Sequence, residues 1–160
     1  MILVTIGMQL GFDRLIEAMD QIAPSLGMEV IAQTGNGTYQ PQNMEAHRSI
    51  APGEFERLVQ RSKLIVSHAG IGTVLTAQRF ATPIVLFPRR FDQGEHRNDH
   101  QIATVNNLNG RPGLIIAMDE SELASAIAQG LALKSAKTAA SATAKQLQDA
   151  IGNFVEHGKI

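Results

Sequence analysis

Apolar residues fall along this chain in two alternating rhythms. Short, nearly unbroken aliphatic runs at 2–6, 28–32, 64–66, 84–87 and 114–117 read as strands covered on both faces. Between them apolar positions recur at helical spacing, as Phe12, Leu15, Ile16, Met19 and Ile22, then Phe55, Leu58 and Val59. Residues 71–80 and 97–108 predict two further helices, and Asp119, Glu120 and Ser121 can cap another that runs to about residue 133. Pro24 ends the first helix, Pro52 suits the first turn of the second, and Asn109, Gly110 and Pro112 stop the fourth.

The polar stretches complete the plan. Residues 34–43 (TGNGTYQPQN) read as an exposed loop, followed by a short extended piece around 47–50. Asp13 is expected to cap the helix that follows the first loop. Strands alternating with helices predict an α/β fold, a Rossmann-like doubly wound parallel sheet, occupying 1–133 as one domain. Residues 134–160 change character. They are rich in Ala, Ser and Thr, then place Leu147, Ile151, Phe154 and Val155 on one side of a helix. That helix either packs on its own domain or leans onto a partner.

Composition narrows the function. At 160 residues, with 44% hydrophobic and 18% charged residues, the chain can bury a sizeable core. A net charge of −1 and 4% aromatics argue against a nucleic-acid surface. The absence of Cys excludes disulfides and thiolate metal sites and suits a reducing cytoplasm. The apolar run at 2–6 is too short for a secretion signal and lacks a basic flank, and no stretch is long enough to cross a bilayer.

Candidate chemistry concentrates in residues 63–101. The run 64–66 ends at Ser67-His68, and Ala69-Gly70-Ile71-Gly72-Thr73 then leads into a helix. Glycines admit close approach of a ligand, free N–H groups at a helix start favour phosphate, and Thr73 adds a hydroxyl. Otherwise the glycines only shape a tight turn. The segment is not a dinucleotide fingerprint, and no Gly-Lys-Ser/Thr of a P-loop occurs. Ile65 and Ala69 flank Ser67 where a hydrolase elbow needs glycines. The loop after 84–87 gathers Arg89, Arg90, Asp92, Gln93, Glu95, His96, Arg97, Asn98, Asp99, His100 and Gln101. Arg suits a diphosphate or a carboxylate, and Asp, Asn and Gln suit sugar hydroxyls; the competing reading is a solvated loop. His96 and His100, four apart, could mimic a metal pair, but no third ligand is evident and no metal or cofactor is expected. His47 and His157 read as surface residues.

Three motifs together (SHAGIGTVLTA, TPIVLFPRR and GEHRNDHQIAT), with VTIG and FDRLI before them, resemble the glycosyltransferase family 28 C-terminal domain over about 2–128. Within that family the chain is similar to small bacterial exopolysaccharide subunits of the PssE type, relatives of the catalytic subunit of the split eukaryotic UDP-N-acetylglucosamine transferase. The resemblance implies the donor-binding C-terminal half of a GT-B enzyme, with the acceptor half on a separate membrane-associated subunit. It implies that His68, Gly70, Gly72 and Thr73 hold the donor diphosphate and that His100 and Gln101, with Asp99 beside them, lie near the donor sugar. Gly7 and Met8 belong to the loop that would face the cleft between halves.

Many family members carry Glu where this chain has Thr76, a position that binds ribose; a hydroxyl cannot accept two donors as a carboxylate does. The implied activity is inverting transfer of a sugar from a UDP-sugar to a lipid-linked acceptor in polysaccharide biosynthesis, with His68 and His100 catalytic. Gly7, Met8, Gly70, Gly72, Thr73, Thr76, Arg89, Asp99 and Gln101 would bind substrate, and the donor would be the only small molecule required. The general base would come from the acceptor half. The protein would be cytoplasmic, recruited to the inner face of the plasma membrane by its partner, with self-association in isolation left open. The alternative is a non-catalytic nucleotide-binding or assembly module of a polysaccharide synthesis complex. A UDP-sugar epimerase shares the two-domain plan but needs both domains in one chain.

Overall fold

The computed structural model describes residues 1–133 and 147–152. Six parallel strands form one sheet: β1 (Ile2–Thr5), β2 (Val30–Gln33), β3 (Glu45–His47), β4 (Leu64–Ser67), β5 (Ile84–Leu86) and β6 (Leu114–Ile116), in the order β3-β2-β1-β4-β5-β6. The helices are α1 (Asp13–Ile22), α2 (Pro52–Arg61), α3 (Ile71–Arg79), α4 (His100–Leu108) and α5 (Glu120–Ala132). The chain winds outward from β1 to β3, then restarts at β4 on the other side of β1. This is the doubly wound arrangement that the alternating pattern predicts.

Alternate side chains of each strand feed opposite layers. Ile2 and Val4 of β1, Leu64 and Val66 of β4 and Val85 of β5 pack with Leu15, Ile16 and Met19 of α1 and Leu123, Ala126 and Ile127 of α5. Leu3, Ile65, Ile84 and Leu86 face Leu58 and Val59 of α2, Val74 and Ala77 of α3, and Val105 and Leu108 of α4. Leu147 and Ile151, in the helical segment 147–152, join this second layer; Phe154, Val155 and His157 lie outside the described residues. Gly130 lets α5 ride close on β4, because a Cβ there would run into the Leu64 side chain.

Three local expectations are corrected. Asp13 does not cap α1: it is the first helical residue, and Phe12 occupies the cap position. Its carboxylate instead accepts the main-chain N–H groups of Thr38 (2.9 Å) and Tyr39 (3.1 Å) and the Thr38 hydroxyl (2.6 Å). About two helical turns further on, Asp20, only 2% exposed, takes the N–H groups of Gln42 and Asn43 and the Tyr39 hydroxyl. The 34–43 loop is thereby laced to α1, and both carboxylates are held below their ordinary range by these bonds against the opposing effect of burial.

The edge strand β3 begins earlier than the 47–50 piece read from sequence. The fourth helix begins at His100 rather than residue 97. There the Asn98 side chain accepts the His100 N–H (3.1 Å) and the Asp99 carboxylate accepts the Phe91 N–H (3.0 Å), local bonds that compete with helix.

Candidate functional site

Strands β1 and β4 are neighbours whose following connections leave toward opposite halves of the sheet, and ligands of open α/β sheets bind outside the strand ends at such a point. Two clefts open there. One, about 360 Å³, is lined by Thr5, Gly7, Met8, Gln33, Ile50, Pro52, Phe55, His68, Gly70, Gly72, Thr73 and Thr76. The other, about 300 Å³, is lined by residues 6–10, His68, Arg89, His96 and Gln101. Gly7, Met8 and His68 border both.

The first cleft is built on the start of α3. Gly70 takes the cap position without a side-chain cap, and the first bond back to it is made by Val74 (3.2 Å). The N–H groups of Ile71, Gly72 and Thr73 therefore have no acceptor among the described residues. Thr73 lines the cleft beside them, while the Thr76 hydroxyl donates to the Gly72 carbonyl at 2.9 Å. Ile50, Pro52 and Phe55 form an apolar wall opposite. At the floor the Thr5 hydroxyl donates to the Gln33 side chain at 2.9 Å.

His68 follows β4 directly and its ring is flanked by glycines on two sides. A Cβ at Gly70 would collide with the ring, and one at Gly7, where φ is +79°, would stand 3.1 Å from Cε1. Burial, reinforced by the Arg89 charge, pulls the His68 pKa down to about 4, so the imidazole is neutral at pH 7. It can donate or accept one hydrogen bond there but cannot act as a fixed cation. Its Nδ1 lies 3.2 Å from the Ser67 hydroxyl.

The second cleft is backed by Arg89, 3% exposed. The expectation that Arg89 reaches a ligand is corrected in part: both terminal nitrogens donate to main-chain carbonyls, of Gly11 (2.6 Å), Ile6 (2.8 Å) and Leu10 (2.9 Å). Arg89 thus shapes the loop after β1. Its guanidinium lies 4.6 Å from the Phe12 ring centroid, and burial lowers its pKa to about 10, leaving it charged at pH 7. Gln101 accepts the N–H groups of Ala69 (3.2 Å) and Arg89 (2.9 Å) on one oxygen, so a single side chain ties together the loops after β4 and β5. Arg14 of α1 grips the β5 loop through Glu95 (2.5 and 2.9 Å) and the Pro88 carbonyl (3.2 Å), and sits 4.4 Å from the Phe87 ring centroid.

Of the residues singled out from sequence, Gly7, Met8, His68, Gly70, Gly72, Thr73 and Thr76 meet in the first cleft and Arg89 and Gln101 border the second. His100 and Asp99 are exposed and line neither cleft. Gln33, Ile50, Pro52 and Phe55 were not anticipated; Pro52 and Phe55 carried a signal only as part of α2. His96 stands in the second cleft apart from exposed His100, and among the described residues no three His, Cys, Asp or Glu gather where a metal could sit.

A family model, the glycosyltransferase family 28 C-terminal domain, matches residues 1–154. The chain belongs to that family. The solved structures agree on the fold of this family 28 domain. A glycotransferase of kitacinnamycin matches with a TM-score of 0.62 at 16% identity, over 98% of this chain and 40% of that one. SnogD from Streptomyces nogalater gives 0.62 at 22% identity, covering 92% and 39%. SsfS6 from Streptomyces sp. SF2575, complexed with thymidine diphosphate, gives 0.59 at 19% identity, covering 92% and 36%. The family 28 domain therefore spans about two-fifths of the length of the glycosyltransferases it matches. No curated protein matches the sequence.

Proposed function

We propose that this family 28 domain is the donor-binding half of an inverting glycosyltransferase that moves a sugar from a UDP-sugar to a lipid-linked acceptor in polysaccharide biosynthesis. The observation that carries this reading is the trio of free N–H groups at Ile71, Gly72 and Thr73, opening on a cleft with an apolar wall at Ile50, Pro52 and Phe55. The helix start suits a diphosphate and the apolar wall a nucleobase.

In this reading the acceptor hydroxyl attacks the anomeric carbon in line with the departing diphosphate. Charge developing on that leaving group is received by the three N–H groups, the Thr73 hydroxyl and neutral His68. Among the described residues no carboxylate lines either cleft, and in this reading the base that takes the acceptor proton belongs to the other half of the enzyme. That half would reside on a membrane-associated partner chain at the inner face of the membrane. Exposed apolar residues support a covering surface here: Met8 (67%) and Leu10 (46%) in the loop after β1, and Phe91 (57%) in the loop after β5. No described helix is long and apolar enough to cross a membrane.

The test is calorimetric titration of the chain with UDP and with thymidine diphosphate, followed by transfer assays with UDP-sugars in the presence of the partner. Binding of UDP with no transfer by the chain alone, and turnover once the partner is added, is the expected result. Full activity of the chain alone would overturn the two-chain reading; tighter binding of thymidine diphosphate would overturn the uridine assignment. A non-catalytic nucleotide-binding or assembly module is favoured by one observation, the exposure of Asp99 and His100 away from both clefts. Loss of transfer in His100→Ala, with partner binding intact, decides for the enzyme.

A further inference from the structure

The second cleft has an unusual wall. Among the described residues no Asp or Glu lines it. Arg89 behind it keeps a buried charge with no carboxylate at ion-pair distance among the described residues. Glu95, the nearest candidate, is already engaged by Arg14 and by the Arg90 N–H (2.9 Å). Gln101 has its carbonyl oxygen occupied by two main-chain N–H groups, so only its NH₂ group remains to be offered.

His96 adds a further donor. Its Nδ1 is buried and has no partner among the described residues. A buried N–H without an acceptor is costlier than a lone pair without a donor, which assigns the ring proton to Nε2. The main chain beside the ring is also held in place. Its neighbour Glu95 is fixed through its main-chain N–H to the Arg90 carbonyl (3.2 Å), its own carbonyl to Arg89 (3.5 Å) and its carboxylate to Arg14 (2.5 Å). Residues 91–94, by contrast, are exposed. Apart from Gln9 at the exposed rim, the polar side chains lining the cleft are Arg89, Gln101 and two histidines.

We infer that His96 is an oxyanion-binding residue whose Nε2–H, with the Gln101 NH₂ group, receives the terminal phosphate of a nucleoside diphosphate seated in the first cleft. The inference rests on the donor-site reading and extends it past His68, whose side chain borders both clefts. A sugar hydroxyl both donates and accepts; Arg89 offers it no acceptor and the Gln101 oxygen is already filled, so beyond the histidine lone pairs this wall presents donors. A phosphate only accepts, and it supplies the negative charge that Arg89 lacks.

The test compares uridine and thymidine mono- and diphosphates, and UDP-glucose, by titration calorimetry on the full chain, wild type, His96→Ala and His96→Gln. His96→Ala should lower affinity for the diphosphate about tenfold or more while leaving the monophosphate within about twofold, and His96→Gln, which keeps a donor, should recover part of the loss. Equal loss for both nucleotides marks His96 as structural and overturns the assignment, as does no loss for either. A loss seen with UDP-glucose but not with UDP transfers the contact to the sugar and overturns it too. Wild type that binds none of these nucleotides brings down the donor-site reading itself, an outcome distinct from a wild type that binds but ignores the substitution.

Discussion

The Gln101 side-chain oxygen accepts the Arg89 main-chain N–H at 2.9 Å while also holding Ala69. Both N–H groups are buried, and the bond runs from the first turn of α4 to the ends of two strands. Gln101→Ala strands both donors and should cost roughly 2–4 kcal/mol, lowering Tm by about 5–15 °C. Gln101→Glu retains the acceptor and should cost clearly less. Thermal denaturation that ranks Glu below Ala would refute this role.

His68 gives the stability a pH window. Its folded pKa of about 4 lies below the ordinary value of 6.5, so the unfolded chain binds a proton between these values and the folded chain does not. The contribution is complete above pH 6.5 and declines as pH falls toward 4, by at most about 1.4 kcal/mol per unit. Asp13 and Asp20, held below 3.8, lose their contributions only in more acidic solution. Urea melts across pH 4–7 should show this slope in wild type and a flatter profile in His68→Gln.

Two alanines separate the cleft from the scaffold. A Cβ at Gly70 meets the His68 ring, whereas one at Gly53 in α2 meets nothing within 4 Å. Gly70→Ala should weaken nucleotide binding about tenfold or more by displacing the ring. Gly53→Ala should leave binding unchanged and stabilise α2 by about 0.5–1 kcal/mol. Parallel titrations and melts read both effects, and equal binding by the two variants would remove the clamp from the account.

The Arg14–Glu95 pair should behave as a largely desolvated ion pair, with side chains 13% and 11% exposed. Arg14→Met leaves Glu95 without its partner and should cost about 2–4 kcal/mol, while Arg14→Met with Glu95→Gln should cost less than the sum of the single changes. A double-mutant cycle with no coupling would show that the β5 loop is held by other means.

What the sequence disclosed follows the range of the interactions. The strands and helices rest on local periodicity, and the turn from Ser67 to Thr73 encodes its own shape, so both could be placed from residue order. Arg89 could not: its type suggests a ligand contact, but its acceptors at Ile6, Leu10 and Gly11 lie about eighty positions away and come together only when β1 and β5 join the sheet. Asp13 was misjudged for the same reason, since helix start and loop anchor look alike until the 34–43 segment folds back. His96 drew notice as one of a crowd in the polar loop and for its spacing to His100, a helical relation that vanishes because α4 begins at His100.

Both walls shared by the two clefts grow from β1 and β4, strands hydrogen-bonded to a neighbour on each side. The outermost strand β3 carries only exposed side chains and one neighbour. Opening of the sheet should therefore begin at its margins, and β1 and β4 amides should exchange with solvent among the last. The proposed nucleotide site would then sit in the most persistent part of the molecule, so a chain that has loosened at its rim would still present an intact floor to a ligand.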